Sequence, residues 1–256
     1  MKSLGGVTKY LEQEGKAVQT SCSLCRQEFE LFCQLAERYE RIGVATKISK
    51  AEVPVLGSSS KLFLVVMSQM YGVMSQLLRR RVVDAEALSP RAIEATATAF
   101  RLWKKPELSK VFDNAYPNAG DDASPKQWRP SREYKEKFNT GTLFSEPGEV
   151  WIYLRSIYDS FSAVSSHAGP LATAFIQERN GAVEIQFIEA DNSTVRLAWN
   201  YMLDACSEML RVFLQILRGS ANPAAIVALE QELTEWKEKA VCVLKHRDEE
   251  VRQQGT

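Results

Sequence analysis

The sequence predicts an all-α bundle of about seven helices with one inserted β-hairpin near residues 173–188. Three observations carry that prediction. Apolar residues recur at helical spacing over most of the 256 residues. The nine prolines and 13 glycines are concentrated between those runs rather than within them. One Asn-Gly pair separates two short segments that alternate instead. At this length, with 45% apolar residues, the chain can bury a substantial core, and it is read as one helical-bundle domain over 1–256.

The N-terminal region, 7–42, has the pattern of one long helix. Leu11, Gly15, Val18, Cys22, Cys25, Phe29, Phe32, Ala36 and Tyr39 alternate steps of four and three, which places them on one stripe. Gly43 should end it, and a connector is expected over 53–60. A second helix, 61–79, is apolar nearly all round and should be central. The uncharged run 62–78 contains Ser68, Gln69, Ser75 and Gln76, so a buried helix is preferred to a membrane span. A third helix begins near an Asp84 cap and runs to about Trp103, with Pro90 expected to kink it or to mark its true first turn.

A short helix should open at Pro106, followed by an irregular loop over 115–130 and a short helix capped by Ser131. Another helix, from Pro147, carries Val150, Leu154, Ile157, Phe161 and Val164 on one face. Asn180-Gly181 suits a type I′ turn, which would place Ile176 opposite Ile185 and Ala174 opposite Phe187. Helices over 194–218 and from Pro223 complete the chain, with a polar tail expected to fray beyond His246.

Composition narrows the function. Thirty-two basic residues offset 32 acidic ones, so no general charge argument favours a nucleic acid or an anionic membrane. No apolar segment of signal-peptide length opens the chain, and a cytoplasmic location is expected. Its five cysteines are therefore read as free thiols. Cys22-Ser-Leu-Cys25 has no second CxxC or histidine pair, and both thiols lie on the apolar stripe. They are expected to pack in the interior, with no metal and no cofactor. GxGxxG, GxxxxGK[ST], HExxH and GxSxG are all lacking.

Two features remain as candidate sites. Arg79, Arg80 and Arg81 could grip a phosphate or carboxylate at a helix end, although arginines there also interact with the helix dipole. His167, after the helix containing Tyr158 and Ser162, is the histidine placed to titrate near neutrality within a structured region.

The segment LLRRRVVDAEALSPRAIEATATAFRLWKKPEL, followed later by YDSFSAVSSHAGP, resembles a group of bacterial all-helical proteins related to HEPN-like domains. The resemblance spans roughly 60–215. It implies a helical fold, a bacterial defence or stress setting, and a constellation of Arg91 and Glu94 with Tyr158, Ser162 and His167. HEPN ribonucleases place an arginine four to six residues before the histidine, whereas Arg155 stands twelve positions before His167. The leading expectation is thus a non-enzymatic module that binds a partner protein or a small polar ligand through Arg91, Glu94, Tyr158, Ser162, Arg79 and Arg80. The alternative is a metal-independent ribonuclease using His167 and Arg155, and nucleic acid is a partner only under it. The long helices also offer a surface for homodimerisation.

Overall fold

The computed structural model describes residues 5–45, 54–116, 129–165, 176–179, 182–185, 188–218 and 223–254. It is all-α in its core. The helices are α1 (Gly5–Leu24), α2 (Arg26–Ala45), α3 (Pro54–Leu78) and α4 (Val82–Lys104), then α5 (Ser109–Asp113), α6 (Arg132–Lys137) and α7 (Thr140–Leu143), and finally α8 (Glu149–Ser165), α9 (Asn192–Leu217) and α10 (Pro223–Gln254). A 3-10 turn, Pro106–Leu108, precedes α5. Two four-residue strands, β1 (Ile176–Arg179) and β2 (Ala182–Ile185), pair antiparallel with Ile176 opposite Ile185 and Gln177 opposite Glu184. The Asn180-Gly181 turn, the Ala174–Phe187 pair and most of the 115–130 loop lie outside the described residues.

The expected single N-terminal helix is two. Cys25 stands at the junction, although its N–H still bonds to the Ser21 carbonyl at 2.8 Å. The stripe changes with it. In α1 the expected line through Leu11, Gly15 and Cys22 faces solvent, and the inward residues are Ala17 and Ser21, with Glu14 half-buried. The reason is polar: Glu14 lies 3.6 Å from Arg79 and 3.8 Å from Arg81, so α1 turns its carboxylate inward. Cys25 is buried, but Cys22 is exposed, which corrects the expectation that both thiols are interior.

Further boundaries also differ. The expected connector over 53–60 is already helical from Pro54, because proline suits a first turn and the buried Ser58 and Ser59 meet α5, at Asp113, and α4. Ser59 donates to the Ala99 carbonyl at 3.5 Å. The residue flanking the start of α4 is Arg81, not Asp84. Asp84 lies in the first turn, ion-paired to Arg81. Pro90 sits inside a continuous α4, and α10 is helical through Gln254 where fraying was expected.

The α3–α4 interface is the most extensive helix pairing, and α8 and α9 both pack against α4. Small residues on α4, Ala92, Ala95, Thr96 and Ala99, are buried and admit close approach. Phe63 stacks on Tyr39 at 5.6 Å and meets Phe213 edge-on at 5.0 Å, so α2, α3 and α9 share one aromatic centre. Two buried bonds lock it. Tyr39 donates to the Cys206 carbonyl at 2.7 Å, and Trp236 of α10 donates to the Leu31 carbonyl at 3.0 Å.

Candidate functional site

Three segments build the site: the middle of α4, the second half of α8, and the turn containing α7. Asn139 caps α7 by accepting from the Thr142 N–H at 3.0 Å, which fixes the Thr140 hydroxyl beside α8. On α4, Glu94 is half-buried and faces α8. Tyr158 donates its hydroxyl to Glu94 Oε1 at 2.7 Å, across 64 residues of sequence. Burial, and then the hydrogen bond to the Glu94 carboxylate, pushes the Tyr158 phenol above its ordinary value, while hydrogen bonds from Ser162 and Thr140 oppose that rise. The phenol is therefore held neutral, donating to a carboxylate and accepting from hydroxyls. Phe144 lies 5.2 Å from the tyrosine ring and walls one side.

Sequence expectation and structure meet here in part. Glu94, Tyr158 and Ser162 come together. Arg91, which the resemblance sets beside Glu94, is exposed, and no hydrogen bond or ion pair holds it among the described residues. Glu94 bonds to Tyr158 and forms no ion pair with Arg91. Arg155 donates to Asp159 Oδ2 at 2.6 Å and to the Thr140 carbonyl at 3.3 Å, and lies 5.6 Å from the Phe144 ring. It thus braces the α7 turn. His167 lies outside the described residues.

Thr140, Phe144 and Arg101 belong to the site but escaped sequence reasoning. Arg101 donates to the Thr142 carbonyl at 3.0 Å and holds the same turn from α4. The available signal was Asn139 itself, a capping residue three positions before Thr142.

The arginine cluster is spent on the protein. Arg80 is buried, and its guanidinium donates to the carbonyls of Glu189 at 2.6 Å and Ala190 at 2.9 Å and to Asn192 Oδ1 at 2.9 Å. Arg79 donates to the Ser75 carbonyl at 2.9 Å and shares Glu14 with Arg81. These bonds close the α3–α4 turn and seat the start of α9, so Arg79 and Arg80, expected to hold a ligand, are engaged by the protein itself. Among the described residues no group of three or more His, Cys, Asp or Glu is arranged to hold a metal ion.

No family model, curated protein or solved structure matches the chain. The fold and the α4–α8 geometry therefore stand on their own.

Proposed function

We propose that the protein is a helical binding module that takes a small polar ligand at the Glu94–Tyr158–Ser162 cluster. The observation supporting it most is the 2.7 Å bond between Tyr158 and Glu94, a carboxylate-phenol pair set at the edge of an otherwise apolar α4–α8 seam. Polar groups on such a seam cost stability unless satisfied, and Tyr158 occupies one oxygen of Glu94 while the other is left for a ligand's donor. Arg91, one turn from Glu94, supplies an uncommitted cation on the same side of α4. A ligand with a donor for Glu94 and an anionic group for Arg91 fits that spacing. The bacterial, cytoplasmic and HEPN-like expectations belong to this proposal, as does an Asn180-Gly181 turn joining β1 to β2.

A ribonuclease reading would rest on His167 with Arg155. The Arg155–Asp159 pair already occupies that guanidinium, which favours the binding reading.

Thermal-shift titration against amino acids, sugar phosphates and nucleotides tests the proposal. At least one class should raise the melting temperature of the wild type, and Arg91→Ala and Tyr158→Phe should both abolish the shift. A ligand whose shift survives both substitutions would overturn the assignment.

A further inference from the structure

The hydrogen bonds of the α4–α8 cluster all run one way. Ser162 and Thr140 donate to the Tyr158 oxygen, and Tyr158 donates to Glu94 Oε1 at 2.7 Å, so the chain of bonds ends on a carboxylate. Each bond in such a chain polarises the next, and the negative charge is held at Glu94. No ion pair answers that charge among the described residues. The guanidiniums that brace the neighbouring turn are committed elsewhere: Arg101 to the Thr142 carbonyl at 3.0 Å, and Arg155 to Asp159 at 2.6 Å. Glu94 is also half-buried, and its charge reaches Tyr134 of α6, whose phenol is raised by burial, then by Tyr116 and Glu94. Arg91, one turn back on α4, is exposed and carries the opposite charge.

Resting on the polar-ligand reading above, we propose that the ligand is a small amino-acid zwitterion, with its ammonium on the second oxygen of Glu94 and its carboxylate on Arg91. Each choice follows from the charges. A half-buried carboxylate gains more from a cationic donor than from a neutral one, because charge-assisted bonds are about twice as strong. A sugar hydroxyl has to accept as well as donate, and the hydroxyls of Ser162, Thr140 and Tyr158 already donate within the cluster. A phosphate carries about −1.5 to −2 charges and calls for several cations. A single arginine in the middle of α4 matches a carboxylate instead, which it can hold bidentately. Arg91 and Glu94 are three residues apart on one helix, so their Cβ atoms are about 5–6 Å from each other. That spacing suits opposite charges separated by a few bonds.

Isothermal titration calorimetry with the common L-amino acids provides the test. At least one should bind the wild type saturably, and its des-amino acid and its decarboxylated amine should each bind at least tenfold more weakly. Glu94→Gln keeps an acceptor for Tyr158 but removes the charge. It should weaken the amino acid at least tenfold and alter the des-amino acid less than twofold, with the helical circular dichroism retained. Should that variant fail to fold, the N-acetyl form of the same amino acid removes the cation from the ligand instead and should bind the wild type at least tenfold more weakly. Arg91→Ala should weaken the amino acid and the des-amino acid alike. Glu12→Gln, at an exposed position of α1, should leave the affinity unchanged. Binding by no amino acid, equal binding of the amino acid and its des-amino form, or indifference to the loss of either charge would overturn the zwitterion assignment. A sugar phosphate or nucleotide whose binding needs Arg91 and Tyr158 would overturn it too, yet leave the polar site standing. An amino acid whose binding survives Arg91→Ala and Tyr158→Phe would overturn the site itself.

Discussion

Arg80 shows how a single residue can defy its usual preference. It has φ of 58°, in the left-handed region that glycine favours, and it ends α3 in a Schellman pattern. Its N–H bonds to the Leu77 carbonyl at 2.9 Å, and the Arg81 N–H to the Gln76 carbonyl at 2.8 Å. The left-handed backbone costs about 1 kcal/mol for a residue with a Cβ. The guanidinium offsets this through three bonds to the segment entering α9. Arg80→Ala should therefore lose roughly 2–3 kcal/mol in urea denaturation, since it keeps the strained backbone and removes three bonds to the part-buried segment entering α9. Arg80→Gly loses the same bonds but relaxes the backbone, and it should be about 1 kcal/mol more stable than Arg80→Ala. Equal stabilities would show that no strain resides there.

Asp191 governs a pH response at the same scale. It caps α9, and the hydroxyls of Ser193 and Thr194, followed by the Thr194 N–H, hold its carboxyl well below its ordinary 3.8. A carboxyl lowered in the folded state contributes stability above its unfolded value, and that contribution is lost as pH falls through the folded value. Glu232, lowered chiefly by its hydrogen bond to Arg41, acts in the same direction. The melting temperature should thus decline as pH drops below about 4. Asp191→Asn keeps a capping oxygen without the titration, and it should flatten part of that decline. An unchanged acid limb in Asp191→Asn would exclude the cap as its source.

At the scale of elements, glycines in different helices separate propensity from packing. Gly15 of α1 has nothing within 4 Å of an added Cβ. Gly15→Ala should stabilise the protein by about 0.5–1 kcal/mol, measured by denaturant midpoint. Gly72 of α3 differs: an added Cβ would meet Leu88 Cδ1 of α4 at 3.2 Å. The half-buried end of Leu88 must shift to admit it, so Gly72→Ala should gain clearly less than Gly15→Ala. A larger gain at Gly72 would mean that the α3–α4 seam is looser than its small-residue packing implies. The helical periods of α8, α9 and α10 were legible in sequence because each presents one apolar stripe to a single core. The period in α1 misled, since a stripe rule counts Leu11 and Cys22 but has no weight for Glu14. Only the arginines arriving from the α3–α4 turn make that carboxylate an inward group.

For the whole molecule, the long-range polar locks define how the layers close. Trp236 fills a buried position on α10 and donates to Leu31 of α2 across 205 residues. Trp236→Phe keeps most of the apolar contact and should lose about 1 kcal/mol through the missing hydrogen bond, since the Leu31 carbonyl keeps its bond within α2. Trp236→Ala also leaves a cavity and should lose about 3–5 kcal/mol. Similar losses for both substitutions, read from chemical unfolding, would place the value of this residue in the bond rather than in its volume.

The sequence by itself determined the all-α class and the position of most helices, because hydrophobic periodicity and proline or glycine punctuation act locally. Glu94, Tyr158 and Ser162 stand out in the sequence through the resemblance of their segments to HEPN-like proteins, not through periodicity. Tertiary structure alone decided which partners they found. Tyr158 reaches Glu94 across 64 residues, Thr140 arrives on a turn set by Asn139, and Arg155 is taken up by Asp159. The same holds for the arginine cluster: adjacent in sequence and alike in chemistry, Arg79, Arg80 and Arg81 diverge because a left-handed turn sends Arg80 toward α9 while its neighbours face Glu14 of α1. A hydrogen bond needs two groups within about 3 Å, and for residues far apart in the chain only the packing of helices brings them there.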